Sequence, residues 1–330
     1  MDKMNIDLDK LYEAQDYALA NLLSMPPYKK GKSIVTSCYR KEIPGMFILL
    51  NELSRLDMRI PVEVFYRHGE LNSDECAEMS KVMNGLINFK PLQNTAEDFK
   101  DRWGNSKGWS VKAFAIFESE YEENFWIDCD NVPIRNCLDL FEDEEYLKKG
   151  SLFWRDVYSV DRSNQYCDSS PFWKIFRVSP NDGEPFESGQ FLINKAKTWP
   201  QLNLMLHYTR NCQIYYSFGG DAECWRMAWQ SYAVKNNGYH AAFNYNSSAD
   251  VPYGFMPFGP FHKGVANPWK KYGGGTVMVQ RDRQGSELFN HRNITKWSWH
   301  DNPFNNDIVN EANYHMVLRH IQTKYVKQNG

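Results

Sequence analysis

Phe125-Trp-Ile-Asp-Cys-Asp-Asn-Val-Pro133 opens as an apolar strand and ends in two carboxylates. In open α/β sheets, ligands bind at the carboxyl ends of the strands. Residues i and i+2 of an extended chain point the same way, so Asp128 and Asp130 can converge on one hard cation. A Mg²⁺ or Mn²⁺ ion held there can bridge two phosphates and take up charge on a departing nucleoside diphosphate. A turn that spends Asp and Asn on its own backbone hydrogen bonds is the plainer reading of the same residues.

The segments around this stretch alternate between strand and helix patterns. Ile34-Val-Thr-Ser-Cys38 and Val62-Glu-Val-Phe-Tyr66 read as strands. Pro44 to Leu56 reads as a helix behind a proline start, Asp74 to Leu86 as a helix capped by Ser73, and Ser110 to Phe117 as a third. Further along, Ser151–Trp154, Gln190–Asn194, Val277–Gln280 and Leu288–His291 are strand-like. Gln201–Tyr216, Ala222–Tyr232 and Asn306–Tyr325 are helix-like. Strands alternating with helices imply an α/β fold, a mostly parallel central sheet flanked by helices. Leu8, Leu11, Ala14, Ala18 and Leu22 fall at helical spacing and predict an amphipathic leading helix.

Composition narrows the class. The 330 residues are 42% hydrophobic, with a mean hydropathy of -0.63. No apolar run approaches the ~20 residues of a membrane helix, and the first thirty residues carry no signal-peptide pattern. A net charge of -3 gives no general attraction to nucleic acid. Seven cysteines without a C-x-x-C pair suit reduced thiols. A soluble, cytoplasmic protein is therefore expected. The sequons at Asn246 and Asn293 argue weakly in the same direction, because a glycan on Asn293 would obstruct the polar segment His291-Arg-Asn-Ile-Thr-Lys296.

Other residues carry possible chemistry. Lys112 sits among Val111, Ala113, Phe114 and Ala115, so it either snorkels to solvent or points at an anion. Glu187 and Gln190 flank the start of an apolar strand, where a carboxylate and an amide suit sugar hydroxyls. Asp221 and Glu223 open a helix after two glycines, which is also what a capped helix start looks like. Gly273-Gly-Gly275 lacks the spacing and Lys-Ser/Thr of a phosphate loop. Asp-x-Asp-x-Val also matches the nucleophile strand of haloacid-dehalogenase-like phosphatases, with Asp128 attacking phosphorus and Asp130 as acid/base. Against this, Trp225 stands where the distal acid of Gly220-Asp-x-x-x-Asp would be. A sugar-binding protein with a degenerate site is a third class.

An ordered series of segments changes the balance. It runs Ile34–Cys38, Pro61-Val-Glu-Val-Phe-Tyr66, Lys112-Ala-Phe-Ala115, Trp126–Pro133, Ser151-Leu-Phe-Trp-Arg-Asp156 and Glu187-Ser-Gly-Gln-Phe-Leu-Ile-Asn-Lys195. It continues through Gly220-Asp-Ala-Glu223, Ala228-Trp229, Met278-Val-Gln280 and Phe289–Trp297. In that order the series resembles the fungal-type α-mannosyltransferase family, which includes the Golgi α-1,2- and α-1,3-mannosyltransferases. The resemblance covers about residue 31 to about 297.

It implies a GT-A fold, a divalent ion (Mn²⁺ or Mg²⁺), GDP-mannose as nucleotide-sugar donor, a glycan acceptor and retention of anomeric configuration. A UDP-linked sugar is the alternative donor. On this resemblance Asp128, Asp130 and His291 hold the metal. Thr36, Tyr39, Arg40 and Glu63 lie at the nucleotide, with Tyr39 stacking on the base and Arg40 near a phosphate, although Glu63 can equally be a salt-bridged structural residue. Lys112, Asp128, Glu223 and Lys296 bind the donor, and His262 is the reserve metal ligand. Glu187, Gln190 and Asp221 are the catalytic candidates, Asp221 on the sugar hydroxyls and Glu187 near the reacting face. Family members normally carry an N-terminal membrane anchor and work in the Golgi lumen, so with no anchor pattern seen that setting is expected only if the chain is a truncated form. The implied division is a helical extension over 1–30 and a catalytic domain over 31–300, followed by a C-terminal helix over 301–330. Within the domain, 31–135 forms the nucleotide-binding half and 136–300 the acceptor and sugar half.

Overall fold

The computed structural model describes residues 6–93, 108–156, 169–180, 186–216, 220–237, 254–256, 258–261 and 278–292. Lys296, His262, Asn246, Asn293, Gly273–Gly275 and the expected final helix lie outside these residues.

The chain runs α1 (Leu8–Ala20), β1 (Lys29–Ser37), α2 (Ile43–Arg55), β2 (Val62–Tyr66), α3 (Ser73–Ser80), β3 (Ile87–Pro91), α4 (Val111–Glu118) and β4 (Tyr121–Ile127). It continues through β5 (Asn131–Pro133), α5 (Glu144–Lys149), β6 (Ser151–Arg155), α6 (Pro171–Phe176), β7 (Phe186–Asn194), α7 (Trp199–Arg210), α8 (Cys212–Tyr215) and α9 (Asp221–Asn237). Among the described residues four short strands follow: β8 (Gly254–Met256), β9 (Phe258–Phe261), β10 (Met278–Arg281) and β11 (Glu287–His291).

Seven strands form the central sheet in the order β3-β2-β1-β4-β7-β6-β8. Helices cover both faces, so its inner strands bury side chains in both directions and read as continuous apolar runs. Val35, Trp126, Phe153 and Phe191 enter the core beneath α4, α6, α7 and α9. Their neighbours Ile34, Phe125, Ile127, Trp154 and Leu192 enter the other core, against α2 and Phe141. The period-two alternation of a strand sorts them.

The α/β expectation holds, with one qualification. β1, β2, β3 and β4 are mutually parallel and β6 is parallel to β8, but β7 runs antiparallel to both β4 and β6. A second sheet, β5-β11-β10-β9, is antiparallel in every pairing. The helix expected over Asp74–Leu86 ends early. Asn72, not Ser73, caps it through a reciprocal box with Glu75, and left-handed Asn84 and Gly85 then turn the chain into β3. The leading helix packs against the body of the molecule. Tyr12 Oη donates to Lys174 O at 2.6 Å and Gln15 Nε2 to Ile175 O at 2.7 Å. Among the described residues no helix is long and apolar enough to cross a membrane.

Candidate functional site

β1 lies between β2 and β4, which leave it in opposite directions across the sheet, and that is where an open α/β sheet forms a crevice. A cavity of about 570 Å³ opens at this edge, lined by the residues that follow the three strand ends: Cys38 and Tyr39, Arg67, and Asp128 to Asp130. Because β7 is antiparallel, its beginning arrives where the parallel strands finish, and it adds Glu187 and Ser188 to the wall. Lys112 comes from the first turn of α4 and Asp221 from the first residue of α9.

The small sheet supplies the last member. β5 pairs with β11 so that Asn131 stands opposite His291, and the Arg292 amide donates to Asp130 O at 2.9 Å. This pairing brings Asp130 and His291 together across the whole second half of the chain. Ligand atoms of Asp128, Asp130 and His291 all lie within 4.8 Å of one another. Two carboxylates and an imidazole are an acceptable donor set for Mn²⁺, and their separation lets one ion reach all three. His291 Nε2 is 3.3 Å from Asp130 Oδ1 and its Nδ1 is 3.3 Å from Glu187 Oε1. Burial opposes a charge on this imidazole, yet Glu187 and Asp130 hold its pKa up at about 10. A divalent cation held between these groups would take over the role of that proton. Burial also works against ionised Glu187, but His291, Lys112 and the Gly189 amide hold its pKa below the usual value.

Lys112 ties the remaining walls together. Its Nζ donates to Asp128 Oδ2 at 3.0 Å, to Ser188 O at 2.9 Å and to Ser188 Oγ at 3.0 Å, and lies 3.5 Å from Asp221 Oδ2. Burial works against its charge, but Asp128 and Asp221 raise its pKa above that of an ordinary lysine. The other oxygen of Asp128 accepts from Trp126 Nε1 at 2.7 Å, so both its lone-pair faces are oriented. Burial, which Lys112 only partly offsets, raises the Asp221 carboxyl above its usual range.

Seven of the sequence candidates therefore line one cavity: Tyr39, Lys112, Asp128, Asp130, Glu187, Asp221 and His291. The others are placed elsewhere. Glu63 lies near the opposite end of the strands, buried in an ion pair with Lys90 at 2.6 Å and accepting from the Glu120 amide, which matches its structural reading. Thr36 is buried within β1 and does not reach the cavity wall. Arg40 pairs with Glu75 at 2.9 Å, outside the wall. Gln190 lies behind the site, where its Oε1 accepts from Asn131 Nδ2. Glu223 is committed to the buried Arg226 and accepts from the Phe186 amide at 3.2 Å.

The cavity also holds residues not singled out from sequence. Trp109 is 43% exposed and packs beside Gly220, where a Cβ would come within 2.8 Å of its ring. Asp156 follows β6 to the same edge, and an acid ending an apolar strand was a readable signal there, as at Asp128. Tyr66, Arg67 and Glu70 belong to a strand end and turn that no local pattern marks as a ligand site.

Comparison with known proteins adds an independent line. The family described as "Mannosyltransferase putative" matches residues 31–184. The α-1,2-mannosyltransferase MNN2 of Saccharomyces cerevisiae is 23% identical over 368 residues, covering 95% of this chain and 60% of that protein. The chain shares weak, partial homology with fungal mannosyltransferases. MNN21 of Candida albicans, another α-1,2-mannosyltransferase, is 27% identical over 272 residues, 66% of this chain and 40% of that one. The chain thus spans less than two thirds of the length of both relatives, 60% of one and 40% of the other. Among solved structures, the galactosyltransferase LgtC in complex with donor and acceptor sugar analogs matches 90% of this chain and 99% of that one, at 13% identity and a TM-score of 0.49. Mouse xyloside xylosyltransferase 1 matches 63% of this chain and 83% of that one, at 15% identity and a TM-score of 0.39.

Proposed function

We propose that the protein is a metal-dependent, retaining glycosyltransferase of the GT-A type that transfers mannose from GDP-mannose to a glycan acceptor. The observation that carries this reading is the convergence of Asp128, Asp130 and His291 at the crevice of the sheet, beside the buried cation of Lys112. Asp128, Asp130 and His291 would hold a Mn²⁺ or Mg²⁺ ion, which would supply positive charge to the donor diphosphate.

The chain's own groups do the rest. Lys112 adds a second positive charge beside the phosphates and fixes Asp128. Tyr39 offers a ring to the base at the end of β1. Asp221, at the cavity wall, can accept hydrogen bonds from sugar hydroxyls. Trp109 presents an apolar face suited to a pyranose at the cavity mouth. Retention by same-face transfer needs no protein nucleophile, since the leaving phosphate can accept the acceptor's proton. The phosphatase reading has less support, because Asp130 faces His291, the partner expected of a metal ligand.

The test is a donor screen without acceptor, in which GDP- and UDP-sugars are incubated with Mn²⁺ and released sugar is measured. Slow hydrolysis of GDP-mannose is expected, abolished by EDTA and at least about 100-fold slower in Asp130→Ala. Turnover of a UDP-sugar alone would refute the donor assignment, and full activity in EDTA would refute the metal.

A further inference from the structure

β7 passes directly beneath the imidazole of His291, and Gly189 is the residue at that point. A Cβ on Gly189 would stand 2.5 Å from His291 Cε1 and 2.6 Å from Nδ1, distances that no side chain can occupy. The ring thus lies against bare backbone. The Gly189 amide donates to Glu187 Oε1 at 2.7 Å, and that same oxygen is the one 3.3 Å from His291 Nδ1. On its other side the Gly189 carbonyl accepts from the Asp128 amide at 2.8 Å and from Asn131 Nδ2 at 3.0 Å. Two residues of one strand, Glu187 and Gly189, therefore touch both halves of the acidic and histidine cluster.

We infer that Glu187 and Gly189 form a seat that presents Nε2 of His291 to the metal, and that Glu187 is a positioning residue and not a catalytic one. The inference rests on the metal reading of this site. Imidazole donates a lone pair to a cation only from its unprotonated nitrogen, and the other nitrogen then carries the proton. A carboxylate facing Nδ1 fixes that proton there and leaves Nε2, which points at Asp130, free to ligate. The Gly189 amide keeps the carboxylate in place, and the missing side chain lets the ring lie down.

The test is Mn²⁺ binding to the full chain, followed by the EPR signal of the free ion, with and without GDP. No sugar is present, so a contact between Glu187 and a sugar cannot contribute. Glu187→Gln and Gly189→Ala should each weaken Mn²⁺ binding about 10- to 100-fold, Glu187→Gln with a melting temperature in EDTA close to wild type. In a His291→Ala background, Glu187→Gln should cost nothing further, since its effect passes through the ring. Wild-type affinity in Glu187→Gln, or an equal loss in both backgrounds, would overturn the seat while leaving the metal site standing. Absence of Mn²⁺ binding by the wild type under both conditions would overturn the metal reading and the seat with it. If Gly189→Ala fails to fold, the two Glu187→Gln comparisons still decide the matter.

Discussion

Glu187 and Glu223 are both buried carboxylates near the start of β7, and their partners give them different work. Glu187 faces the cavity and the His291 ring, whereas Glu223 neutralises Arg226, a guanidinium with no exposed surface. Glu223→Ala would break this buried pair, and removing one side of such a pair costs about 3–5 kcal/mol. A urea melt should show that loss, while the Mn²⁺ affinity of the folded protein should stay near wild type. The Glu223–Arg226 pair was legible in principle, because i and i+3 meet on a helix. Glu63 was harder, since its partners Ser33, Lys90 and Ser119 come from other strands and a turn. Local sequence shows an acid within an apolar strand, but not which end of the sheet its side chain serves. Asp128 and Asp130 escaped this ambiguity because they follow the strand's last apolar residue.

At the scale of elements, the buried parallel strands were the most readable, because short β-branched and aromatic runs such as Val62–Tyr66 suit a strand covered on both faces and little else. β3 was missed for the opposite reason. It is an edge strand whose Asn88 and Lys90 face solvent or the Glu63 pair, so its five residues lack a strong period. The reversed direction of β7 leaves no mark on composition, yet it decides that Glu187 reaches the site. The capping box of α3 gives a measurable case. Asn72 accepts from the Glu75 amide at 2.9 Å, and Glu75 Oε2 accepts from the Asn72 amide at 2.9 Å. Asn72→Ala should remove about 1 kcal/mol and lower the melting temperature by about 1–2 °C. Asn72→Asp, which keeps a capping oxygen, should recover most of it.

For the molecule as a whole, the acid side of its stability profile should carry the signature of His207. Burial, reinforced by Arg210, holds this imidazole down to about 4, and its Nε2 lies 3.4 Å from Tyr215 Oη. The fold therefore favours the neutral ring, and the unfolded chain takes up the proton first. Stability is complete above the ordinary histidine value near 6.5 and falls as pH drops from there to about 4, by up to roughly 3 kcal/mol. Melting temperatures at pH 7.5 and 4.5 should differ less in His207→Gln than in the wild type. The pairing of Asn131 with His291 has a consequence in time as well as in space. The large sheet draws six of its seven strands from residues 29–194, whereas β5 has no partner strand until β11 has been made. At ordinary synthesis rates of about 5–20 residues per second, that wait lasts roughly 8–30 s on the ribosome. The carboxylates would be in place throughout, but the imidazole that completes their set arrives among the last described residues. The nascent chain can therefore assemble most of its sheet well before Asp128, Asp130 and His291 come together.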